Sequence, residues 1–328
     1  MSRLAFTRIV AAAAVLAALA VVTPIAAGAE GPPICQAGCT TAYAEPGAPF
    51  GLTSGPRGSI WFSLDSRVGR INQMGETTTY FVRSGANVGW MTTNPADGSV
   101  WFAERAAGRV GRITANGAIT EYLLPTFPAV PQGIVFAPNG FVYVTEQGAN
   151  AVARLNPTTG QVNDFAVPTP SSTTQSGALG PDGAIWFIER AAAKVGRMTL
   201  DGQFTEYPLT PGAFPNRIVA GPDGALWFTE LNASKVGRIT ADGNLTEYPV
   251  AGGPVGIAVG KDGQLYVDLF RARAVDRVNL SGQVTGQWAL TGAVSPLLLT
   301  TGFGLDVWVA DGGGHQLFRL TPYNVARS

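Results

Sequence analysis

Residues 215–248 read PNRIVAGPDGALWFTELNASKVGRITADGNLTEY. Four short apolar stretches in this segment are separated by turn residues: Pro215–Ala220, Ala225–Thr229, Val236–Ile239 and Leu245–Tyr248. The dipeptides Asp223-Gly224 and Asp242-Gly243 are two-residue turns that favour β-hairpins, because both positions can adopt positive φ. The segment therefore predicts four antiparallel strands that follow one another along the chain.

The same pattern occurs seven times. An aromatic marker heads the second strand of each copy, at spacings of 39 to 43 residues: Trp61, Trp101, Tyr143, Trp186, Trp227, Tyr266 and Trp308. An arginine follows nine residues later in the first copy and eleven residues later in the others: Arg70, Arg112, Arg154, Arg197, Arg238, Arg277 and Arg319. Four-stranded repeats of about 40–45 residues are typical of β-propeller blades. The sequence predicts an all-β fold, a seven-bladed β-propeller, with structural arginines.

The two ends of the repeat region complement each other. The last copy stops after its third strand, at residues 316–320, and a Thr-Ala-Tyr phrase at residues 41–43 resembles the fourth strand of other copies. We expect this amino-terminal strand to complete the last blade and close the ring, which removes a free sheet edge. One propeller at residues 41–322 then fills the chain, between a segment at 30–40 and a tail at 323–328.

Residues 1–29 have the features of a secretory signal peptide. Arg3 and Arg8 precede an apolar run at residues 9–22, and Ala-Gly-Ala follows at residues 27–29. The run is short for a membrane span, and the small residues form a cleavage pattern. We expect export, no membrane span in the mature chain, and a secreted or envelope-associated protein. An uncleaved amino-terminal anchor is the alternative.

Composition excludes several classes of function. Lysine plus arginine and aspartate plus glutamate each number 22, so no basic excess is available to neutralise nucleic-acid phosphates. The single histidine, His315, excludes a three-histidine zinc site and leaves one candidate for a histidine base. In an exported chain, Cys35 and Cys39 predict a short disulfide loop. We expect a monomer.

Two positions in each repeat are expected to lie at the mouth of the central channel. Eleven residues before the markers, in blade order, stand Phe50, Trp90, Gln132, Gln175, Asn216, Val255 and Leu297. Three residues after the markers stand Leu64, Glu104, Glu146, Glu189, Glu230, Leu269 and Asp311. If these positions served only to pack the blades, the same residue could stand in every blade. Different residues at equivalent positions therefore favour a site that binds a ligand in one orientation.

The candidate ligand-binding residues combine aromatic, amide and carboxylate groups: Trp90, Gln132, Gln175, Asn216, Glu146, Glu189 and Glu230. Such a set suits a small polar ligand with apolar faces, for example a sugar or a cyclic peptide. Blade packing is the alternative for Trp90, and structural ion pairs or turn caps are the alternative for the glutamates.

Two further candidates lie in one glycine-rich loop. His315 is a candidate catalytic base or ligand contact, and a solvent-exposed residue without function is the alternative. Asp311 is a candidate ligand for a divalent cation, together with the mouth glutamates.

The repeated phrases carry a family resemblance. VWFAE at residues 100–104 and LWFTE at residues 226–230 are each followed by Val-Gly-Arg-Ile and then by Thr-Glu-Tyr. Across about residues 41–322 the chain resembles the virginiamycin B lyase (streptogramin lyase) family. The resemblance implies a seven-bladed propeller that opens the cyclic depsipeptide of type B streptogramins by elimination. It also implies a histidine base and a magnesium ion held in part by glutamates.

The positions that match the family's catalytic residues differ here. The base of the family lies in a Pro-His-Gly-Ile phrase, and the matching residues 296–299 place Leu297 at the base position. A second Pro-His phrase matches Pro254 and Val255, and two glutamates match Ser295 and Gly312. Leucine cannot accept a proton, and serine and glycine supply no carboxylate.

The leading interpretation is an exported, non-catalytic module that binds a glycan, a peptide or an envelope component at the central funnel. A carbon–oxygen lyase of the streptogramin type and a protein-interaction scaffold are the alternatives, and magnesium is implied only through the resemblance.

Overall fold

The computed structural model describes residues 20–21, 39–85 and 87–322. These residues form seven antiparallel sheets arranged as blades, and each blade has four strands in meander order. The structure confirms the predicted seven-bladed β-propeller. Most of the predicted signal peptide, the Cys35–Cys39 pairing and the tail at 323–328 lie outside the described residues.

The strands in chain order are β1 (Ala20–Val21), β2 (Cys39–Ala44), β3 (Pro49–Ser54), β4 (Ile60–Leu64), β5 (Arg67–Ile71), β6 (Thr77–Phe81), β7 (Val88–Thr93), β8 (Val100–Glu104), β9 (Arg109–Ile113), β10 (Ile119–Leu123), β11 (Pro131–Phe136), β12 (Val142–Glu146), β13 (Ala151–Leu155), β14 (Val162–Ala166), β15 (Thr174–Leu179), β16 (Ile185–Glu189), β17 (Lys194–Met198), β18 (Phe204–Pro208), β19 (Pro215–Ala220), β20 (Leu226–Glu230), β21 (Lys235–Ile239), β22 (Leu245–Pro249), β23 (Pro254–Val259), β24 (Leu265–Leu269), β25 (Ala274–Val278), β26 (Val284–Ala289), β27 (Pro296–Thr301), β28 (Val307–Asp311) and β29 (Gln316–Thr321).

Blades 1 to 6 use consecutive sets of four strands from β3 to β26, and β1 adds a short edge strand to blade 1. A 3-10 turn at Pro56–Gly58 lies between the first two strands of blade 1. Among the described residues, no helix has the length and apolar character that crossing a membrane would require.

Blade 7 is built from both ends of the repeat region. Strand β2 pairs with β29, so that Ala42 lies opposite Phe318 and Ala44 lies opposite Gln316. Tyr43 of β2 also stacks on Trp308, with 5.4 Å between the ring centroids. The amino-terminal strand therefore closes the ring, as the sequence predicted.

Hydrophobic clusters fill the spaces between neighbouring blades. Between blades 5 and 6, Trp227 and Val236 pack with Ile257, Leu265 and Val267, and all five side chains are buried. Equivalent clusters join the other neighbouring blades, including blades 7 and 1. Because each sheet covers both of its faces in this way, the blades depend on one another for stability.

The glycine of the Val-Gly-Arg motif makes room for an aromatic ring. Gly237 of β21 lies opposite Phe228 of β20, and a Cβ atom at Gly237 would collide with the phenyl ring. Gly196 and Phe187 have the same relation in blade 4. The repeated glycine therefore follows from packing inside the blade.

The repeated arginine pairs with an aspartate of the first hairpin turn. In blade 5, Arg238 Nε lies 2.7 Å from Asp223 Oδ2, and the indole N–H of Trp227 donates to Asp223 Oδ1 at 3.1 Å. Tyr248 stacks on Trp227 with 5.6 Å between the ring centroids. Equivalent ion pairs form in four more blades: Arg112–Asp97, Arg197–Asp182, Arg277–Asp262 and Arg319–Asp306. This geometry supports a structural role for the arginines.

A β-bulge lies near the start of the first strand of each blade. In blade 5, Asn216 and Arg217 of β19 together oppose Thr229 of β20. The Thr229 hydroxyl accepts the backbone N–H of Arg217 at 3.2 Å. The pairing register shifts at the same place in the first strands of the other blades. Because a bulge re-aims side chains, this position can face the channel.

We predict that Asp223→Ala lowers the free energy of unfolding by about 1–3 kcal/mol, because the buried Trp227 and the partly buried Arg238 lose their shared acceptor. Urea unfolding followed by circular dichroism measures the change. The matched control Asp242→Ala alters an exposed turn of the same blade and should change the free energy by no more than about 0.5 kcal/mol. Equal effects of the two substitutions would contradict the role assigned to Asp223.

Candidate functional site

A cavity of about 340 Å³ lies where the first strands of all seven blades begin. Its size is at the low end of the range for small-molecule sites, about 300–1,000 Å³. We call it the funnel cavity. Its lining residues are Phe50, Trp90, Arg105, Gln132, Gln147, Gln175, Arg190, Phe214, Asn216, Leu231, Val255, Phe270, Leu297 and Leu298.

The seven residues that stand eleven positions before the markers all line the funnel cavity. The structure therefore brings together four candidates identified from the sequence: Trp90, Gln132, Gln175 and Asn216. Amides occupy the lining from blades 3 to 5, whereas Val255 and Leu297 make the lining from blades 6 and 7 apolar. The cavity has a polar side and an apolar side.

The amide side chains form an ordered network. Gln147 Oε1 accepts hydrogen bonds from Gln132 Nε2 at 2.6 Å and from Gln175 Nε2 at 3.4 Å. Gln132, Gln175 and Asn216 are 1%, 5% and 6% exposed. Since a primary amide has two donor hydrogens and an acceptor oxygen, this buried network keeps hydrogen-bonding capacity beyond its internal bonds.

Trp90 packs inside the propeller and also borders the cavity, and its contact with a ligand stays a prediction. It is 4% exposed and packs edge-on against Phe50, with 6.0 Å between the ring centroids. It also lines the funnel cavity, and the Arg217 guanidinium lies 4.5 Å from its ring centroid. The indole is therefore fixed in place by packing at the point where it borders the cavity.

The structure does not bring the three candidate glutamates to the funnel cavity. Glu146, Glu189 and Glu230 are 0% exposed, at the ends of β12, β16 and β20, and none of them lines the cavity. Within a blade, strand side chains point toward a neighbouring blade, so the last strand residue is turned away from the axis. This position favours the structural role that was the alternative, and contact of these glutamates with a ligand stays a prediction.

Burial changes the acidity of these carboxyl groups. It raises the pKa of Glu146 to about 8, and the neighbouring charge of Asp164 adds to the effect. Burial also raises the pKa of Glu104, Glu189 and Glu230 to about 7. Neither carboxyl oxygen of Glu146 has a hydrogen-bond partner among the described residues. For Glu146 the protonated form is favoured, because the loss of hydration and the charge of Asp164 both oppose ionisation.

The sequence did not predict a second set of lining residues, which stand one position after the end-of-strand candidates. Arg105, Gln147, Arg190, Leu231 and Phe270 each follow their marker by four residues and line the funnel cavity. They are the first residues after the second strand, where the loop begins and side chains no longer have to face a neighbouring blade. The end of each predicted strand was the signal that could have located them.

His315 does not line the funnel cavity. It is exposed in the turn between β28 and β29, where φ is 52°, and its backbone carbonyl accepts the N–H of Glu45 at 2.8 Å. A role as base would require a substrate outside the cavity. The structure thus separates His315 from the residues that the channel brings together.

Asp311 is buried and supports the loop that precedes β27. Its Oδ1 atom accepts the N–H of Ser295 at 2.6 Å, and its Oδ2 atom accepts the N–H of Val294 at 3.0 Å and a hydrogen of Gln316 Nε2 at 2.9 Å. These contacts make Asp311 a loop cap. Its role as a metal ligand stays a prediction.

The donor set does not fit the magnesium ion that the family resemblance implies. Ser295 and Gly312 stand at the positions matched to glutamates and supply no carboxylate. Among residues 20–21, 39–85 and 87–322, no group of three or more histidine, cysteine, aspartate or glutamate side chains is placed to hold a metal ion. Magnesium prefers carboxylate and water oxygens in octahedral geometry.

The ring of seven four-stranded blades around a central cavity defines the chain as a β-propeller. The particular family follows from comparison with known sequences. A model of the virginiamycin B lyase family matches residues 33–173 and 157–327. The chain belongs to this family.

Individual relatives agree with this assignment. The virginiamycin B lyase of Nocardia farcinica is 37% identical over 109 residues, which span 32% of this chain and 38% of that protein. A solved streptogramin B lyase structure has a TM-score of 0.81 and 28% identity over 86% of this chain and 96% of that one.

A catalytically inactive histidine-to-alanine variant of virginiamycin B lyase from Staphylococcus aureus, solved with quinupristin, has a TM-score of 0.80 and 30% identity. That match covers 86% of this chain and 99% of the other chain. The similarity to solved structures extends around the whole ring.

We predict that the protein becomes less stable as the pH rises from about 4.5 to about 8. In the unfolded chain a glutamate ionises near its ordinary pKa of 4.5, whereas burial raises the pKa of Glu146 in the folded chain to about 8. The raised pKa therefore adds stability at low pH, and this contribution is lost as the pH rises through about 8.

Denaturant unfolding at pH 5 and pH 8 checks this expectation. Glu146→Gln removes the titrating group, so it should reduce the loss of stability between the two pH values. Asp201→Asn, at an exposed hairpin turn, should leave that difference as it is in the unmodified protein. If Glu146→Gln keeps the full difference, burial of Glu146 does not cause it.

Proposed function

We propose that the chain is an exported, non-catalytic member of its family that binds a small polar ligand in the funnel cavity. A glycan, a peptide or another component of the cell envelope is the expected class of ligand. The observation that carries the proposal is the lining of the cavity. It joins a fixed amide network to aromatic and aliphatic surfaces in a space of about 340 Å³.

The polar and apolar surfaces suit such ligands for a physical reason. Sugars and peptides present hydroxyl or amide groups together with apolar faces. The amides of Gln132, Gln147 and Gln175 can exchange hydrogen bonds with the polar groups, while Trp90 and Phe270 border the same cavity. Ligand pockets typically combine a few oriented polar groups with an apolar lining in this way.

The residues at the matched catalytic positions support binding without catalysis. Leu297 and Val255 line the funnel cavity at the positions that the resemblance assigns to histidines. Neither side chain can accept or donate a proton. The exposed His315 lies outside this lining.

Lyase activity is the second candidate function, and family membership over most of the chain favours it. In this case His315 would have to act as the base from its exposed turn. Ring opening by elimination yields a linear product of unchanged mass, so chromatography with mass spectrometry separates it from hydrolysis.

Export is a further part of the proposal, supported by the charged start, apolar run and cleavage pattern of residues 1–29. Amino-terminal sequencing of protein recovered from the envelope and the medium should find a chain that begins near Glu30. Recovery of the intact amino terminus would favour the uncleaved anchor.

We predict that the purified protein retains a saturable ligand from a panel of glycans and peptides, and that Gln132→Met weakens its binding about tenfold or more. The substitution keeps the approximate side-chain size but removes hydrogen bonds from a buried site. Calorimetry measures the affinity, and Gln203→Met, at an exposed turn, is the matched control. Equal affinities of the two variants would place binding outside the cavity. This result would agree with the protein-interaction scaffold alternative.

We also predict that quinupristin stays intact when incubated with the protein, with or without magnesium. Mass spectrometry after chromatography measures the reaction. A linear product of unchanged mass that disappears in His315→Ala would establish lyase activity through a relocated base and overturn the non-catalytic assignment. Product formation that survives in His315→Ala would also overturn it.

A further inference from the structure

The funnel cavity carries two arginines without acidic partners. Arg105 and Arg190 line it, and none of the described lining residues is acidic. Neither arginine belongs to an ion pair among the described residues. In contrast, most of the arginines that repeat in the blades pair with aspartates. The Nε atoms of Arg105 and Arg190 are buried without a hydrogen-bond partner. The cavity therefore holds positive charge that no acidic side chain among the described residues pairs with.

Neutral groups hold both guanidinium groups in place. Arg190 donates from Nη2 to Asn216 Oδ1 at 2.7 Å, and its guanidinium lies 4.8 Å from the ring centroid of Phe214. The guanidinium of Arg105 lies 5.9 Å from the ring centroid of Phe50. These contacts orient the charges but leave N–H groups able to donate, since a guanidinium has five N–H donors.

The position of the two arginines is costly without a partner. Burial lowers the pKa of both groups, and the charge of Arg105 lowers the pKa of Arg190 further. Both remain charged near neutral pH, because arginine has a very high intrinsic pKa. Two like charges that line the same partly buried cavity and act on each other oppose folding unless an anion compensates them.

A third arginine of the channel already has an acidic neighbour. Arg217 lies over Trp90 and interacts with the charge of the buried Asp268. Asp268 Oδ1 also accepts the backbone N–H of Gly256. This acid acts on Arg217 from blade 6, whereas Arg105 and Arg190 follow the second strands of blades 2 and 4. The uncompensated charge thus belongs to the side of the cavity around blade 3.

We propose that the funnel cavity binds an organic anion, whose carboxylate or other acidic group lies between Arg105 and Arg190. Its uncharged body would extend across the axis toward the apolar lining from blades 6 and 7, which includes Phe270, Leu297 and Leu298. Guanidinium groups bind carboxylates through paired, charge-assisted hydrogen bonds. The inference rests on the proposed binding function and specifies its ligand as an acidic glycan or an acidic peptide unit.

Calorimetry with matched probe pairs tests the charge preference. N-acetylphenylalanine is compared with its neutral amide, and glucuronic acid is compared with glucose. We expect the acid of at least one pair to bind about tenfold or more tightly than its neutral partner. The peptide pair and the sugar pair distinguish the two sources of the acidic group.

Arginine variants test the site itself. Arg190→Gln should weaken binding of the acid about tenfold or more and should affect the neutral partner less. Arg83→Gln, which alters an exposed arginine outside the cavity, is the control and should bind like the unmodified protein. Arg105→Met should raise the Tm of the ligand-free protein, because it removes an unpaired charge. A lower Tm would show that Arg105 is compensated within the protein.

An iodide soak of protein crystals gives a readout that does not depend on the choice of organic probe. We expect an anomalous peak between the two guanidinium groups. Absence of the peak would overturn the inference. If the neutral probes bind and the acids do not, the inference fails while the binding function stands. If no probe and no iodide bind in the cavity, both fail.

Discussion

The pairing of β2 with β29 is the constraint on which the propeller depends. A blade cannot bury both faces of its sheet alone, so each blade is stabilised by its two neighbours. The closing strand supplies Tyr43 to the stack on Trp308 in blade 7. Blade 7 in turn packs against Leu52, Ile60 and Phe62 of blade 1. Because the ring is closed, every blade packs against two neighbouring blades, and neither blade 1 nor blade 7 is left with an uncovered face.

Along each blade, the repeated residues lie at one end of the first two strands and the variable residues lie at the other end. At the hairpin between the first two strands, the arginine–aspartate ion pair recurs in five blades, and in blades 4 and 5 the marker indole also donates to that aspartate. At the other end of the same strands, the equivalent residues differ from blade to blade and line one cavity. Repeated contacts at one end fix the frame, so residues at the other end are free to differ without loss of the fold.

This separation explains what could be predicted from the sequence. The marker spacing and hairpin turns depend on local rules, and they were sufficient for the blade number, the strand order and the closing strand. Residues such as Gln132 and Asn216 were located because a β-bulge recurs at one fixed distance from every marker. The family resemblance agreed with the same fold.

The sequence predicted cavity residues three positions after the markers, but the residues that line the cavity stand four positions after them. Periodicity alone could not reveal this difference of one residue. Glu189 is the last strand residue and remains between blades, whereas Arg190 is the first loop residue and borders the cavity. Both are polar and adjacent, so composition cannot distinguish them. The direction of each side chain depends on where pairing with the third strand ends, and this is a property of the assembled sheet.

The same displacement reverses the electrostatic character of the site. With glutamates at the channel, the funnel would be acidic and suited to a cation. In the structure the glutamates are buried between blades, where loss of hydration raises the pKa of Glu146 to about 8 and that of Glu189 to about 7. Near neutral pH they are therefore partly protonated, whereas exposed carboxylates would be fully ionised. The lining of the funnel cavity itself includes Arg105 and Arg190 and, among the described residues, no acidic side chain.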